Sequence, residues 1–256
     1  MCPADSRGAS RSARGRLRLY CQGSLVENEA KPMPPRNPKN KSSASGPGPV
    51  PTKAKWQAPR RAAHYAGARF GTPRAEQRDS RAIARLLRRH GEFPIKDLLD
   101  APCGTGRLAP ALSQAAKRYI GADISAAMLG EFRGPNGMRA LRINGDATEL
   151  PFQGGSFDVV VCCRLLHHLD PGAPLEAVAR ELVRVSRSLV LASFWDCACL
   201  PGLRRAWGWR RDTSGRRPLP RATIEEAFAG AGGRLLGYTT SCRFLSMQTF
   251  IAVGVD

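Results

Sequence analysis

Acidic residues are scarce in this chain of 256 residues: 21 Asp and Glu stand against 40 Lys and Arg, a formal charge of +19. Lysine is scarce as well, with 7 of those 40 cations, so the excess is mostly arginine. This balance excludes an acidic, solvating chain. It favours contact with nucleic acid, an anionic membrane surface or acidic substrates. A GC-rich genome gives the same arginine bias with no partner at all. Long apolar runs are missing too, and none approaches the ~20 residues that span a bilayer.

Paired cysteine motifs are absent. The 8 cysteines are Cys2, Cys21, Cys103, Cys162, Cys163, Cys197, Cys199 and Cys242, and no C-x-x-C occurs. That spacing argues against a zinc site, so no metal is expected, and it points to reduced thiols in a cytosolic-type compartment. Cys162 and Cys163 are adjacent in a strand-like run, which sends their side chains to opposite faces.

Residues 1–60 have few large apolar side chains and no persistent period. They hold twelve Lys and Arg, three acids and the run KPMPPRNPKNKSSASGPGPVP. Such a segment cannot bury enough surface to offset chain entropy, so a disordered basic arm is expected. Three readings of it stay open: a transit peptide (mitochondrial in a eukaryote), an over-extended start with Met33 as initiator, or an arm that binds nucleic acid. Residues 61–256 are expected to form one domain.

Within that domain, helical and strand-like segments alternate. EQRDSRAIARLLRRHGE (76–92) has helical apolar spacing, stopped by Gly91. Strands are expected at 95–100, 119–123, 138–143, 157–163 and 188–194. Helices are expected at 107–118, 125–132 with Ser125 as N-cap, 171–187 and 224–232. Two strands close the chain, RLLGYTTSCRF and SMQTFIAVGV, near enough to pair antiparallel. FDVVVCC is continuously apolar, as a strand buried on both faces must be. Repeated β-α units predict an α/β fold: a doubly wound, mostly parallel seven-stranded sheet, helices on both faces, and an antiparallel C-terminal edge strand.

In such sheets the ligand site lies beyond the carboxyl ends of the strands. The first strand ends there with LLDAPCGTG (98–106). Gly104 and Gly106 allow a tight turn and a close backbone approach. Pro102 stands where a first glycine is usual, and it biases Ala101 toward an extended conformation. A P-loop requires G-x-x-x-x-G-K-[ST], and no lysine follows Gly106. A dinucleotide fingerprint requires G-x-G-x-x-G, and PCGTGR fails it. A pocket for S-adenosylmethionine needs neither. It needs acids for an ammonium group and a ribose diol, glycines along the methionine chain, and a polar group for adenine.

The sequence supplies these in order: Asp100, GADIS with Asp123, GDATELPF with Asp146, then SFDVVVCCRLLHHL. This set resembles the class I S-adenosylmethionine-dependent methyltransferases, in particular the small-molecule branch similar to ubiquinone/menaquinone-type enzymes. It covers about 96–195 and weakens beyond. The resemblance implies an S-adenosyl-L-methionine cofactor. Asp100, Cys103, Gly104 and Gly106 would line its methionine end. Asp123 and Ile124 would meet the ribose, Asp146 and Ala147 the adenine, and Cys163 the methionine moiety. Arg164 departs from the small polar residue frequent in that family; it would bind an anionic substrate, or form a salt bridge to a helix. His167 and His168 leave the fourth strand where a general base would act, or they simply pack there.

For the acceptor, no run resembles the motifs of nucleobase amino or cytosine C5 methylation. Residues 201–221 hold seven arginines and one acid, with Trp207 and Trp209 between them. This basic insert (196–221) follows the fifth strand, where substrate lids occur. Trp207 and Trp209 would stack a substrate, with the arginines on its anionic groups. A small-molecule or lipid-like acceptor is expected. RNA or another polyanion, bound through arm and insert, is the alternative, and a cofactor-binding module without turnover is the third reading.

Overall fold

A computed structural model describes residues 73–134, 141–199, 216–240 and 246–256. The expected arm (1–60), most of the basic insert, Trp207 and Trp209 lie outside the described residues. No helix among the described residues is long and apolar enough to cross a membrane.

The chain opens with α1 (Pro73–His90) and β1 (Ile95–Asp100), followed by α2 (Ala109–Leu112) and β2 (Ala116–Asp123). Next come α3 (Ala126–Gly130), β3 (Leu141–Asn144), β4 (Phe157–Cys162), a 3-10 turn (Leu166–His168) and α4 (Ala173–Val185). Last are β5 (Ser186–Trp195), α5 (Arg221–Ala229), β6 (Gly233–Thr240) and β7 (Gln248–Val255). The seven strands form one sheet in the order β3-β2-β1-β4-β5-β7-β6. Strands β1 to β5 run parallel; β7 is antiparallel to both β5 and β6. The reversed strand therefore lies one place in from the edge, and β6 is the edge itself.

Strand alternation builds a core on each face. Leu99, Val160 and Val190 point to one side and meet Leu175, Val178 and Leu182 of α4 and Phe228 of α5. Leu98, Val159, Val161 and Leu191 point to the other and meet Ile83, Leu86 and Leu87 of α1 and Leu112 of α2. Val159, Val160, Val161 and Cys162 are each at most 1 % exposed, so β4 is a central strand covered on both faces.

One expected element is much shorter. The helix expected over 107–118 is a single turn, Ala109–Leu112, and β2 begins at Ala116. Ala116 pairs with Ile95 and Arg118 with Asp97, so the parallel ladder draws these residues away from helix. Ladder hydrogen bonds and burial outweigh the intrinsic preference of a short Ala-rich segment. β5 likewise begins at Ser186, two residues before the expected start. Ser125 caps α3 as expected: its Oγ accepts from the Met128 N–H at 3.2 Å.

Candidate functional site

The carboxyl ends of β1, β2 and β4 converge on a cavity. The chain leaving β1 turns at Ala101 and Pro102, which are joined by a cis peptide bond, and the Ala101 N–H donates to the Val161 carbonyl at 2.8 Å. Cys103 N–H then donates to the Ala122 carbonyl at 2.8 Å, which ties the loop to β2. Gly104 N–H donates to Asp123 Oδ2 at 2.9 Å, and Ser125 N–H to Asp123 Oδ1 at 2.8 Å. One carboxylate thus fastens the β1 loop to the start of α3. Gly104 and Gly106 have φ of 57° and 78°, a region that disfavours other residues. A Cβ on Gly104 would meet no atom within 4 Å, so the loop leaves open space there.

Asp100 sits in the cavity wall, 1 % exposed. The Tyr119 hydroxyl donates to its Oδ2 at 2.9 Å, while buried Oδ1 has no hydrogen-bond partner among the described residues. Burial pushes the Asp100 carboxyl up to about 7; Tyr119 and the Arg107 charge oppose the rise, and Asp123 adds to it. Burial also raises Asp123, against the pull of its two backbone donors. A pair of acids held under such desolvation is matched to a cationic or multi-hydroxyl ligand.

Two adjoining hollows share Pro102, Asp123, Ile124 and Leu165. The first carries Asp100, Cys103, Gly104, Cys163, Arg164 and His168. The second carries Asp146, Ala147, Leu150 and Leu169. Asp146 Oδ1 accepts the Thr148 N–H at 2.9 Å, which shapes the turn after β3. Gly106 does not line the first hollow. It turns the loop instead, and a Cβ there would lie 2.6 Å from the Phe132 ring. Cys163 is buried beside Arg107 Nη2 at 3.7 Å and Ser193 Oγ at 3.6 Å, and burial pushes its thiol up.

Residues 98–188 match the family profile described as "Methyltransferase domain". Over these residues the chain is similar to methyltransferase domains. It is 34% identical over 107 residues to a demethylmenaquinone methyltransferase of Beutenbergia cavernae, covering 41% of this chain and 43% of that one. It is 31% identical over 108 residues to a magnesium-protoporphyrin O-methyltransferase of Synechocystis, covering 41% of this chain and 46% of that one. The chain therefore spans less than half the length of these curated relatives. The structure of Synechocystis magnesium protoporphyrin IX methyltransferase, solved with S-adenosylmethionine bound, shares the fold. It has a TM-score of 0.61 and 16% identity over 82% of this chain and 100% of that one.

Around this cavity the two histidines differ, although their ring centroids lie 4.5 Å apart. His167 is 2 % exposed and stacks on Trp195 with ring centroids 4.8 Å apart. Burial, with the charges of His168, Arg216 and Arg164, holds it well below the usual imidazole range, so it stays neutral. It does not line the hollows, whereas His168 does. Arg164 lines the first hollow and is tied to α1: its Nε lies 2.9 Å from Asp79 Oδ2. The salt bridge to a helix is therefore present, and Arg164 also borders the cavity.

Sequence reasoning missed Tyr119, Asp79 and Arg107. Tyr119 reads as one more apolar strand residue, and only the parallel register brings its hydroxyl to Asp100. Asp79 lies 21 residues before Asp100 in the sequence, on a helix that reads as an ordinary basic surface.

Proposed function

We propose that this protein binds S-adenosyl-L-methionine in the paired hollows and transfers its methyl group to a small-molecule or lipid-like acceptor. The observation that carries the reading is Asp100: a buried acid with an unpartnered oxygen, in a cavity whose glycine at 104 leaves room for a ligand. The residues present fit the cofactor. Asp100 would hold the ammonium of the methionine end, alongside Cys103, Gly104 and Cys163. Asp123 and Ile124 would meet the ribose, Asp146 and Ala147 the adenine; Gly106 would serve by turning the loop.

When bound, S-adenosylmethionine supplies an electrophilic methyl group on a sulfonium. The bond formed is acceptor to carbon, and the bond broken is carbon to sulfur. The protein's part is alignment and exclusion of water, worth up to about 7–11 kcal/mol of barrier. Where the acceptor must lose a proton, a ring nitrogen of His168 would take it, since His168 borders the hollow. His167 would serve through packing on Trp195 rather than as the base. The relatives named for quinone and porphyrin substrates support a small organic acceptor. Trp207 and Trp209 keep their proposed role in holding the acceptor.

The test is incubation of the purified full chain with methyl-labelled S-adenosylmethionine and cell extract, fractionated into RNA, protein, lipid and small molecules. Label in the lipid or small-molecule fraction supports this reading. Label only in RNA replaces it with the polyanion reading, and donor binding without label anywhere replaces it with a non-catalytic module.

A further inference from the structure

Asp79 is 2 % exposed on α1 and does not itself line the cavity. Its Oδ2 stands 2.9 Å from Arg107 Nη1 and 2.9 Å from Arg164 Nε. Both arginines do line the cavity, one from the loop after β1 and one from the exit of β4. Replacing a buried charge cluster with apolar side chains is often neutral or stabilising, so fold stability is a poor reason for this one.

A second observation converges on the same residue. Arg164 is the one non-glycine residue with positive φ among the described residues, at 65°. Its N–H donates to Ser193 Oγ at 2.9 Å. Ser193 Oγ also accepts from Gln248 Nε2 at 2.7 Å, and Gln248 Oε1 accepts from Trp195 Nε1 at 3.1 Å. Backbone strain persists only where the surroundings over-determine it, and such places cluster at ligand clamps. Here a buried hydrogen-bonded chain fixes the backbone and a buried acid fixes the side chain.

A guanidinium held rigid at a cavity wall is matched to planar oxygen anions, which it binds through paired N–H groups. We propose that Arg107 and Arg164, aligned by Asp79, form a carboxylate-binding wall of the cavity. Asp79 acts through them and is a positioning residue. The inference rests on the reading of the cavity as a methyl-donor pocket. The carboxylate comes either from the amino-acid end of the donor or from an acid group on the acceptor, and the chemistry of the wall is the same.

Calorimetry on the full chain separates these sources. The first arm compares S-adenosylhomocysteine with its decarboxylated analogue, which lacks only the carboxylate. The second titrates benzoate onto protein saturated with S-adenosylhomocysteine, and also onto protein alone. If the donor supplies the carboxylate, the wild type prefers S-adenosylhomocysteine by about tenfold or more, and Arg107→Met or Arg164→Met removes the preference. If the acceptor supplies it, benzoate binds the saturated protein and Arg164→Met abolishes that binding. Asp79→Asn keeps both guanidiniums and narrows whichever preference is found. A purely structural Asp79 would lower Tm and leave the ratio of affinities unchanged. Where an arginine variant fails to fold with Asp79 left one partner short, the Asp79→Asn/Arg164→Met double variant replaces it.

The proposal is overturned if neither arm depends on the arginines while S-adenosylhomocysteine still binds. Absence of S-adenosylhomocysteine binding contradicts the donor reading instead. Benzoate binding to the protein alone then still supports the wall, and its absence overturns it.

Discussion

The Tyr119 hydroxyl donates to Asp100 Oδ2 at 2.9 Å, across the parallel pair of β2 and β1. This bond, with the Arg107 charge, partly offsets the burial that pushes Asp100 up to about 7. A donor ammonium needs the ionised form. Affinity for S-adenosylhomocysteine should therefore rise with pH to about 7 and level off above it. Below that pH, binding should release protons, visible as a buffer-dependent enthalpy. Tyr119→Phe removes a hydrogen bond to the charged form, so the levelling-off moves to higher pH. An identical pH profile in the variant would show that Tyr119 does not tune Asp100.

Asp123 tests the tie between the two loops. Asp123→Ala removes the acceptor of both the Gly104 and the Ser125 N–H groups. Hydrogen bonds to a charged group are worth roughly 1.5–3 kcal/mol each. The variant should lose stability of that order in urea melts and bind S-adenosylhomocysteine at least tenfold more weakly, a loss also expected from a lost ribose contact. Asp123→Asn keeps one acceptor oxygen and should fall between. Near-normal affinity in Asp123→Ala would remove the ribose assignment.

The two loop glycines should fail in different ways. At Gly104 a Cβ meets open space, so Gly104→Ala carries only the left-handed backbone penalty of about 1–2 kcal/mol. Its methyl enters the cavity side, and donor affinity should fall about tenfold. At Gly106 the Cβ would lie 2.6 Å from Phe132 Cε2, so Gly106→Ala adds overpacking of about 1–3 kcal/mol. Melting temperatures and titrations of both variants check the order: Gly106→Ala the less stable, Gly104→Ala the more selective loss of binding.

His167 should show in acid stability. Its folded-state pKa lies well below 6.5, so the unfolded chain binds more protons in that range. Its contribution is full above pH 6.5 and is lost as pH falls below it. His167→Phe preserves an aromatic ring against Trp195 and removes the titration, so its stability should fall less on acidification. Equal acid limbs for both proteins would count against a neutral buried His167.

Much of this architecture was legible before folding. Short apolar runs located the strands and helical apolar spacing most helices; the run is continuous in β4 because that strand is buried on both faces. The motif acids Asp100, Asp123 and Asp146 fell at strand ends, where chain direction alone places them. The helix expected at 107–118 was misread because the pairing of Ala116 with Ile95 is a tertiary fact. Tyr119 and Asp79 were missed for the same reason: each acts on a residue far away in sequence. That His168 borders the cavity while the touching ring of His167 is buried was illegible too, since burial is decided by the packing around the 3-10 turn.

The most direct measurement is a calorimetric titration of the purified full chain with S-adenosylhomocysteine, wild type against Asp100→Asn, near neutral pH. The account predicts one binding site per chain in the wild type and at least a tenfold weaker affinity in the variant, with both proteins folded. Absence of binding by the folded wild type, or equal affinity in the two, would contradict it.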